Sequence, residues 1–323
     1  MNFLKSNLLY LAMLAFVLAA TTAVSFNIKS PQTADETPSV LVQKKYFPAR
    51  PILPNGVKTF PVLSGQAILA LDLDSGVTLY KKNPDFQVLP ASTTKIITAL
   101  VAMDYYDPES ELVVSNEPID GQKMGLIQGE KIKVRDLLYG LLVYSANDAA
   151  EVLAKNYCAP RSLGEVGLCG RDSFVSVMNK KAQELGLRNT KFINPSGLDG
   201  NFHYSTARDL AIVSAEAMEN PFFAQIVSTK QITVKSTDQK IVHKLTNINE
   251  LLGKVDGVLG VKTGWTENAR ENLVTYIERD GKKVIIALLG SQDRFGETEE
   301  LVNWIFENYQ WETVVYELGK LSY

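Results

Sequence analysis

Apolar residues follow three regimes along this chain. From Ser6 to Ile28 no charge interrupts a run of mostly Leu, Ala, Val and Phe, a length that matches the roughly 20 apolar residues of a bilayer span. Between residues 27 and 62 periodicity is lost and six of the thirteen prolines collect (Pro31, Pro38, Pro48, Pro51, Pro54 and Pro61), the pattern of an extended, semi-rigid tether. From Pro61 onward apolar positions recur with the periods of strands and helices.

Gln66–Leu73 and Val77–Lys81 flank Asp74-Ser75-Gly76, which predicts two strands joined by a tight turn. Pro90-Ala91-Ser92 then precedes Ile96, Ile97, Leu100, Val101 and Met103, so a largely buried helix is expected with Ser92 at its entrance. Helical patterning continues through Arg135–Val143, Asn147–Asn156, Asp172–Leu185 and Ser205–Glu219, and Gln231–Thr246 reads as strands. Gly260–Thr266, Asn272–Arg279 and Lys283–Gly290 form a predicted meander, with Asp280-Gly281 between the last two, and a helix closes the unit near Glu297–Tyr309. Strands at both ends of a helical centre predict an α+β fold: an antiparallel sheet flanked by helices, plus a mainly helical subdomain. The expected organisation is a targeting segment at 1–28, a Pro-rich linker at 29–60, a catalytic domain at 61–311 and a tail at 312–323.

Composition narrows the partners. The 323 residues are 46% hydrophobic and 21% charged, with a net charge of −3. No basic surface able to neutralise a phosphate backbone is evident, so nucleic acid is excluded as a partner. Lys5 before the apolar run marks a targeting segment. Two readings stand: a secretory signal cleaved near Ala23-Val24-Ser25, or a retained single-span membrane anchor. The run exceeds the ~7–15 residues of a usual signal core, which favours the anchor. Either way the bulk of the chain is exported.

Chemistry has to proceed without histidine catalysis, since only His203 and His243 occur and neither lies near a Gly-x-Ser-x-Gly elbow or in a His-Glu-x-x-His string. Three other strings carry reactive groups: Ser92-Thr93-Thr94-Lys95, Ser145-Ala146-Asn147 and Lys262-Thr263-Gly264. Lys95 falls on the same helical face as Ser92 and could take its hydroxyl proton if the amine is neutral. An ordinary lysine pKa of ~10.4 would have to fall toward ~7, a shift of roughly 4–5 kcal/mol that burial and a nearby cation, with Lys262 the candidate, could supply. Ser145 would relay a proton between Lys95 and a leaving nitrogen, and the Asn147 amide would bind a substrate backbone group. Gly264 on its strand leaves room for close approach to the backbone. Each string alone also fits a capped helix, a loop or an edge strand with exposed lysine. Their joint, single-copy occurrence in this order points to acyl transfer.

Taken together, the three strings resemble the penicillin-binding-protein and serine β-lactamase superfamily. Ser145-Ala146-Asn147-Asp148-Ala149-Ala150, Phe192-Ile193-Asn194-Pro195-Ser196-Gly197-Leu198, Tyr204-Ser205-Thr206-Ala207-Arg208-Asp209 and Lys262-Thr263-Gly264-Trp265-Thr266 narrow this to the D-alanyl-D-alanine carboxypeptidase family, over roughly Pro61 to Tyr309. The resemblance implies the fold of that superfamily and a serine DD-peptidase that trims peptidoglycan stem peptides ending in D-Ala-D-Ala, is inhibited by β-lactams and needs no cofactor. It further implies an oxyanion hole from the Ser92 and Trp265 N–H groups. Lys262, Thr263 and Arg294 would hold the terminal carboxylate.

Two departures from the family pattern stand out. Ala269-Arg270 replaces the common Ala-Gly, which puts the local turn in question, and Ala146 replaces a glycine. With no second β-rich domain after Tyr309, membrane attachment would fall to the N-terminal segment. Cys158 and Cys169, eleven apart, either close a loop in an oxidising exterior, for about 3 kcal/mol, or stay unpaired thiols. Two thiols without a neighbouring histidine do not make a zinc site, and no metal is expected. A DD-endopeptidase and a non-catalytic β-lactam sensor remain as alternatives. A β-lactamase would need a deacylating glutamate in a Glu-x-x-x-Asn string after the second motif; none is expected between Asn147 and Lys262, which disfavours that reading.

Overall fold

Lys282–Ser291 runs through the middle of the molecule with apolar side chains on both its faces, and the fold is arranged around it. The computed structural model describes residues 44–46, 48–55, 59–116, 118–158, 169–313 and 315–317; the apolar N-terminal segment lies outside the described residues. The strands used below are β1 (Arg50–Ile52), β2 (Ala67–Asp72), β3 (Thr78–Lys82), β4 (Glu111–Val113), β5 (Lys131–Lys133), β6 (Gln231–Lys235), β7 (Val242–Thr246), β8 (Val258–Thr266), β9 (Arg270–Arg279), β10 (Lys282–Ser291) and β11 (Gln310–Glu312). The helices are α1 (Lys95–Tyr105), α2 (Val134–Leu142), α3 (Asn147–Lys155), α4 (Arg171–Glu184), α5 (Ala207–Met218), α6 (Pro221–Ser228) and α7 (Arg294–Asn308).

Five strands pair antiparallel in the order β3-β2-β10-β9-β8. Alternate residues of β10 serve two cores: Val284, Ile286 and Leu288 join Leu301, Val302 and Ile305 of α7, whereas Ile285, Ala287 and Leu289 join the helical half, including Ile96, Ile97 and Leu138. Burial on both faces explains why this strand reads as a continuous apolar run. Turn chemistry fixes the register. Asp280 and Gly281 take φ of +50° and +71° between β9 and β10, as a two-residue hairpin of matching twist requires. The Asp72 carboxylate accepts the Ser75 N–H at 2.9 Å in the β2–β3 turn.

The helical half differs from the sequence expectation in three places. A 3₁₀ turn at Ala91–Thr94 precedes α1, which starts at Lys95. The short β4–β5 ribbon and helix α6 were not predicted. Asn220 caps α6, accepting N–H bonds from Phe222 and Phe223, with Pro221 at its first position; Asn-Pro before an apolar run was the available signal. Arg50–Ile52, within the Pro-rich stretch, pairs with Gln310–Glu312. Cys158 and Cys169 form a disulfide at the α3–α4 connection. No helix among the described residues is long and apolar enough to cross a membrane.

Candidate active site

Ser92 sits in the 3₁₀ turn, where residues three apart eclipse, and this brings Lys95 Nζ to 2.8 Å from Ser92 Oγ. The N-cap positions of the 3₁₀ turn and of α1 fall on Pro90 and Thr94, not on Ser92. Lys95 is fully buried, and its amine also reaches Asn147 Oδ1 at 2.6 Å and the Ser196 carbonyl oxygen at 2.5 Å. A protonated amine would donate all three bonds. A neutral one donates two, to the obligate acceptors Asn147 Oδ1 and Ser196 O, and turns its lone pair to the Ser92 hydroxyl. Burial pushes the Lys95 pKa down to about 7, against the opposing pull of Asp148 and Glu151. Of the two causes the sequence suggested, burial is the one that acts; no neighbouring cation contributes to the Lys95 shift.

Lys262, on β8, is buried beside it and donates to Ser145 Oγ and to the Thr263 carbonyl, each at 2.8 Å. Burial holds its pKa well below the ordinary lysine value, with repulsion from Lys95 and Arg294 adding to the effect. Ser145 adopts φ +62° just before α3, a left-handed conformation that turns its hydroxyl toward Lys262. Among the described residues the hydrogen-bond partner of Ser145 Oγ is Lys262, not Lys95. Asn147 opens α3; its Nδ2 donates to the Asp120 carbonyl at 2.7 Å and its N–H to the Gln122 carbonyl at 2.7 Å. The amide nitrogen carries a second hydrogen, which a substrate carbonyl could accept.

Two glycines let three chain segments meet at the nucleophile. A Cβ on Gly264 would lie 3.2 Å from the Ser92 nitrogen, and one on Gly197, at φ +91°, would lie 1.9 Å from the Ala91 carbonyl oxygen. The space beside Gly264 thus faces the nucleophile's own backbone. Buried Asn272 fixes the approach to the 3₁₀ turn, donating to the Leu89 and Pro90 carbonyls at 2.9 and 3.1 Å and accepting the Gly290 N–H at 2.7 Å. Asn194 shapes the segment behind Lys95, accepting the Gly197 N–H at 2.6 Å. Sequence reasoning gave no role to Ser196, Gly197, Asn194 or Asn272. The first three stood in a quoted family string, whereas Asn272 is one polar residue in a strand and gave no separate signal.

These residues open onto a cleft of about 910 Å³ lined by Ser92, Ser145, Asn147, Thr263, Trp265 and Arg294 among others. Arg294 begins α7; its Nη1 is 3.4 Å from the Gly264 carbonyl, and its buried Nε has no hydrogen-bond partner among the described residues. Trp265 is 62% exposed on the rim. Asp199 ties the two rims together, accepting from Thr266 Oγ1 at 2.8 Å and Asn268 Nδ2 at 3.0 Å. The questioned turn forms with Arg270 at φ +58°, the conformation that a glycine would take without strain.

Over residues 56–293 the sequence matches the family described as D-alanyl-D-alanine carboxypeptidase. The chain belongs to that family. The DD-peptidase is 35% identical to D-alanyl-D-alanine carboxypeptidase DacB2 of Mycobacterium tuberculosis, over 79% of this chain and 87% of that protein. It is 34% identical to a D-alanyl-D-alanine carboxypeptidase of Streptomyces sp. strain K15, over 77% of this chain and 89% of the relative. Its fold is that of the crystal structure of the Streptomyces K15 DD-transpeptidase, with a TM-score of 0.69 at 33% identity, covering 77% of this chain and all of the other. The α+β fold and the serine-peptidase class expected from the motifs hold. One sequence point needs correction: between Asn147 and Lys262 the DD-peptidase does contain a Glu-x-x-x-Asn string, Glu216 to Asn220. Glu216 lies on α5, Asn220 caps α6, and neither lines the cleft, so the string provides no deacylating glutamate there.

Proposed function

We propose that this serine DD-peptidase acts as a D-Ala-D-Ala carboxypeptidase on peptidoglycan stem peptides, with Ser92 as nucleophile and Lys95 as general base. The observation that carries the reading is the buried Lys95 amine, 2.8 Å from Ser92 Oγ, with its pKa pushed down to about 7. Neutral Lys95 takes the hydroxyl proton as Ser92 Oγ bonds to the carbonyl carbon of the penultimate D-alanine. The C–N bond then breaks, and the leaving nitrogen receives the proton that Lys95 took, relayed through the hydroxyl of Ser145, which Lys262 polarises. Terminal D-alanine departs, and water hydrolyses the Ser92 ester to return the free enzyme.

The Ser92 and Trp265 N–H groups would stabilise the oxyanion, each donor worth ~3–4 kcal/mol in comparable sites. Thr263, Lys262 and the unpartnered Nε of Arg294 would hold the terminal carboxylate. A β-lactam, which presents a carboxylate and an acyl carbonyl together, would acylate the same serine. The chain would work outside the cytoplasm, held at the membrane by the apolar segment 6–28; this rests on the sequence of that segment.

The test is D-alanine release from a diacyl-L-Lys-D-Ala-D-Ala tripeptide, with Ser92→Ala and Lys95→Ala alongside. Release that vanishes in both variants supports the carboxypeptidase. Covalent labelling of Ser92 by a fluorescent penicillin without release would overturn it in favour of an endopeptidase acting on cross-linked muropeptides, or a sensor.

A further inference from the structure

His243 lies within β7, 5% exposed, and both its ring nitrogens face oxygen atoms. Nδ1 is 3.1 Å from the Met124 carbonyl oxygen and Nε2 is 2.7 Å from Glu130 Oε1. A carbonyl oxygen only accepts, so Nδ1 must carry a hydrogen. The second contact then needs one more proton, on Nε2 beside a carboxylate or on Glu130 as an acid donating to Nε2. A neutral imidazole beside an ionised Glu130 would set lone pair against lone pair in a buried place. The other Glu130 oxygen is already used, accepting the Ile127 N–H at 3.0 Å. The cluster is complete only while His243 and Glu130 share one proton.

The segment held in this way is a wall of the catalytic cleft. Met124 is fixed from three sides: His243 takes its carbonyl, the Asp148 carboxylate accepts its N–H at 3.0 Å, and its sulfur packs where a Cβ on Gly140 would stand, 2.2 Å away. Two residues earlier, Gln122 lines the cleft and accepts the Asn147 N–H, while Asp120 accepts the Asn147 side chain. Asn147 Oδ1 is in turn a partner of Lys95. A continuous set of hydrogen bonds and backbone therefore runs from His243 to the base.

We propose that His243 and Glu130 are a positioning pair, which through one shared proton holds the 120–124 wall and Asn147 in place. The pair touches no substrate and acts through Met124. Charged groups on the surrounding elements are Lys235 and Lys244 on the hairpin, Lys131 after Glu130, Arg135 and Asp136 on α2, and Asp148 behind Met124; among the described residues none makes a hydrogen bond or ion pair to His243. Among the described residues Glu130 is the acid bonded to the ring; Glu111 and Asp238 line the same cavity as Glu130 without a bond to His243. The activity readout rests on the serine-peptidase reading, whereas the spectroscopic one does not.

Glu130→Gln separates the proton from the hydrogen bonds. Its amide oxygen can accept from Ile127 and its NH₂ can donate to Nε2 of a neutral His243, so every contact survives without a shared proton. The experiment compares the rate of Ser92 acylation by a fluorescent penicillin in wild type, Glu130→Ala and Glu130→Gln at one pH, together with ¹⁵N NMR of the His243 ring in the full chain. The expected result is a fall of about tenfold in Glu130→Ala, the equivalent of one lost charge-assisted hydrogen bond, that Glu130→Gln restores. In wild type Nδ1 should carry a hydrogen, with Nε2 hydrogen-bonded to the shared proton. Equal rates in wild type and Glu130→Ala overturn the proposal, as does an Nδ1 without a hydrogen. If Glu130→Ala does not fold, the wild-type NMR spectrum and the rate of Glu130→Gln decide. If penicillin labels none of these proteins, the peptidase reading fails and the NMR result decides.

Discussion

Lys95 Nζ and Asn147 Oδ1 are 52 residues apart in sequence and 2.6 Å apart in space, so the base is oriented by the first residue of a different helix. The same amide is tied to Asp120 through Nδ2. The position of the base thus depends on the packing of α1 against α3 and on the loop between β4 and β5.

The pH dependence of acylation follows from burial of Lys95. With its pKa near 7, the neutral fraction falls tenfold per pH unit below that value and saturates above it. Second-order acylation by a fluorescent penicillin should rise along an acid limb centred near pH 7. In Lys95→Arg, where the side chain stays charged, the rate should fall by about 10²–10⁴-fold at every pH.

Asn147→Asp places a carboxylate at the Lys95 amine. An opposite charge within hydrogen-bond distance favours the ammonium, so the Lys95 pKa should rise by about 1–3 units and the acid limb should move to higher pH by the same amount. A limb that stays in place while only the plateau falls would show that Asn147 orients the base without setting its charge.

Gly197→Ala tests the contact behind the nucleophile. The added methyl would stand 1.9 Å from the Ala91 carbonyl oxygen at a backbone φ of +91°, and neither partner atom belongs to a flexible side chain. Displacing the 3₁₀ turn by even ~1 Å should cost about 10²-fold in acylation. Stopped-flow labelling, with a melting curve to separate loss of fold from loss of rate, measures this.

Arg270 holds a left-handed conformation that glycine adopts freely. Arg270→Gly should therefore stabilise the protein by about 1 kcal/mol, partly offset by chain entropy in the unfolded state, and raise the melting temperature by about 2–4 °C. Calorimetry measures the shift, and the acylation rate should not change.

His203 bridges Thr94 Oγ1 at 3.0 Å and Asn194 Nδ2 at 3.2 Å, and burial pushes its pKa down to about 4. The folded state resists a proton that the unfolded chain accepts near pH 6.5. This contribution is therefore fully present above pH 6.5 and is lost as pH falls toward 4, amounting to about 3 kcal/mol. Urea unfolding at pH 7, 5.5 and 4 should show that loss, and His203→Gln should lack this component.

The sequence by itself determined the class of chemistry and most of the elements. A serine three residues before a lysine at a helix entrance, a Ser-x-Asn before the next helix and a Lys-Thr-Gly on a strand are local patterns, as are the Asp280-Gly281 turn and the apolar runs of β9 and β10, because helix period and turn stereochemistry act over a few residues. Tertiary structure decided what each group touches. Nothing local shows that the Ser196 carbonyl would take a bond from Lys95, that Ser145 would pair with Lys262, that Asn272 would hold the segment before the nucleophile, or that Gly264 and Gly197 would be pressed against the Ser92 turn. The fall in the Lys95 pKa comes from removing water around its amine. That desolvation exists only once three distant segments have closed over it.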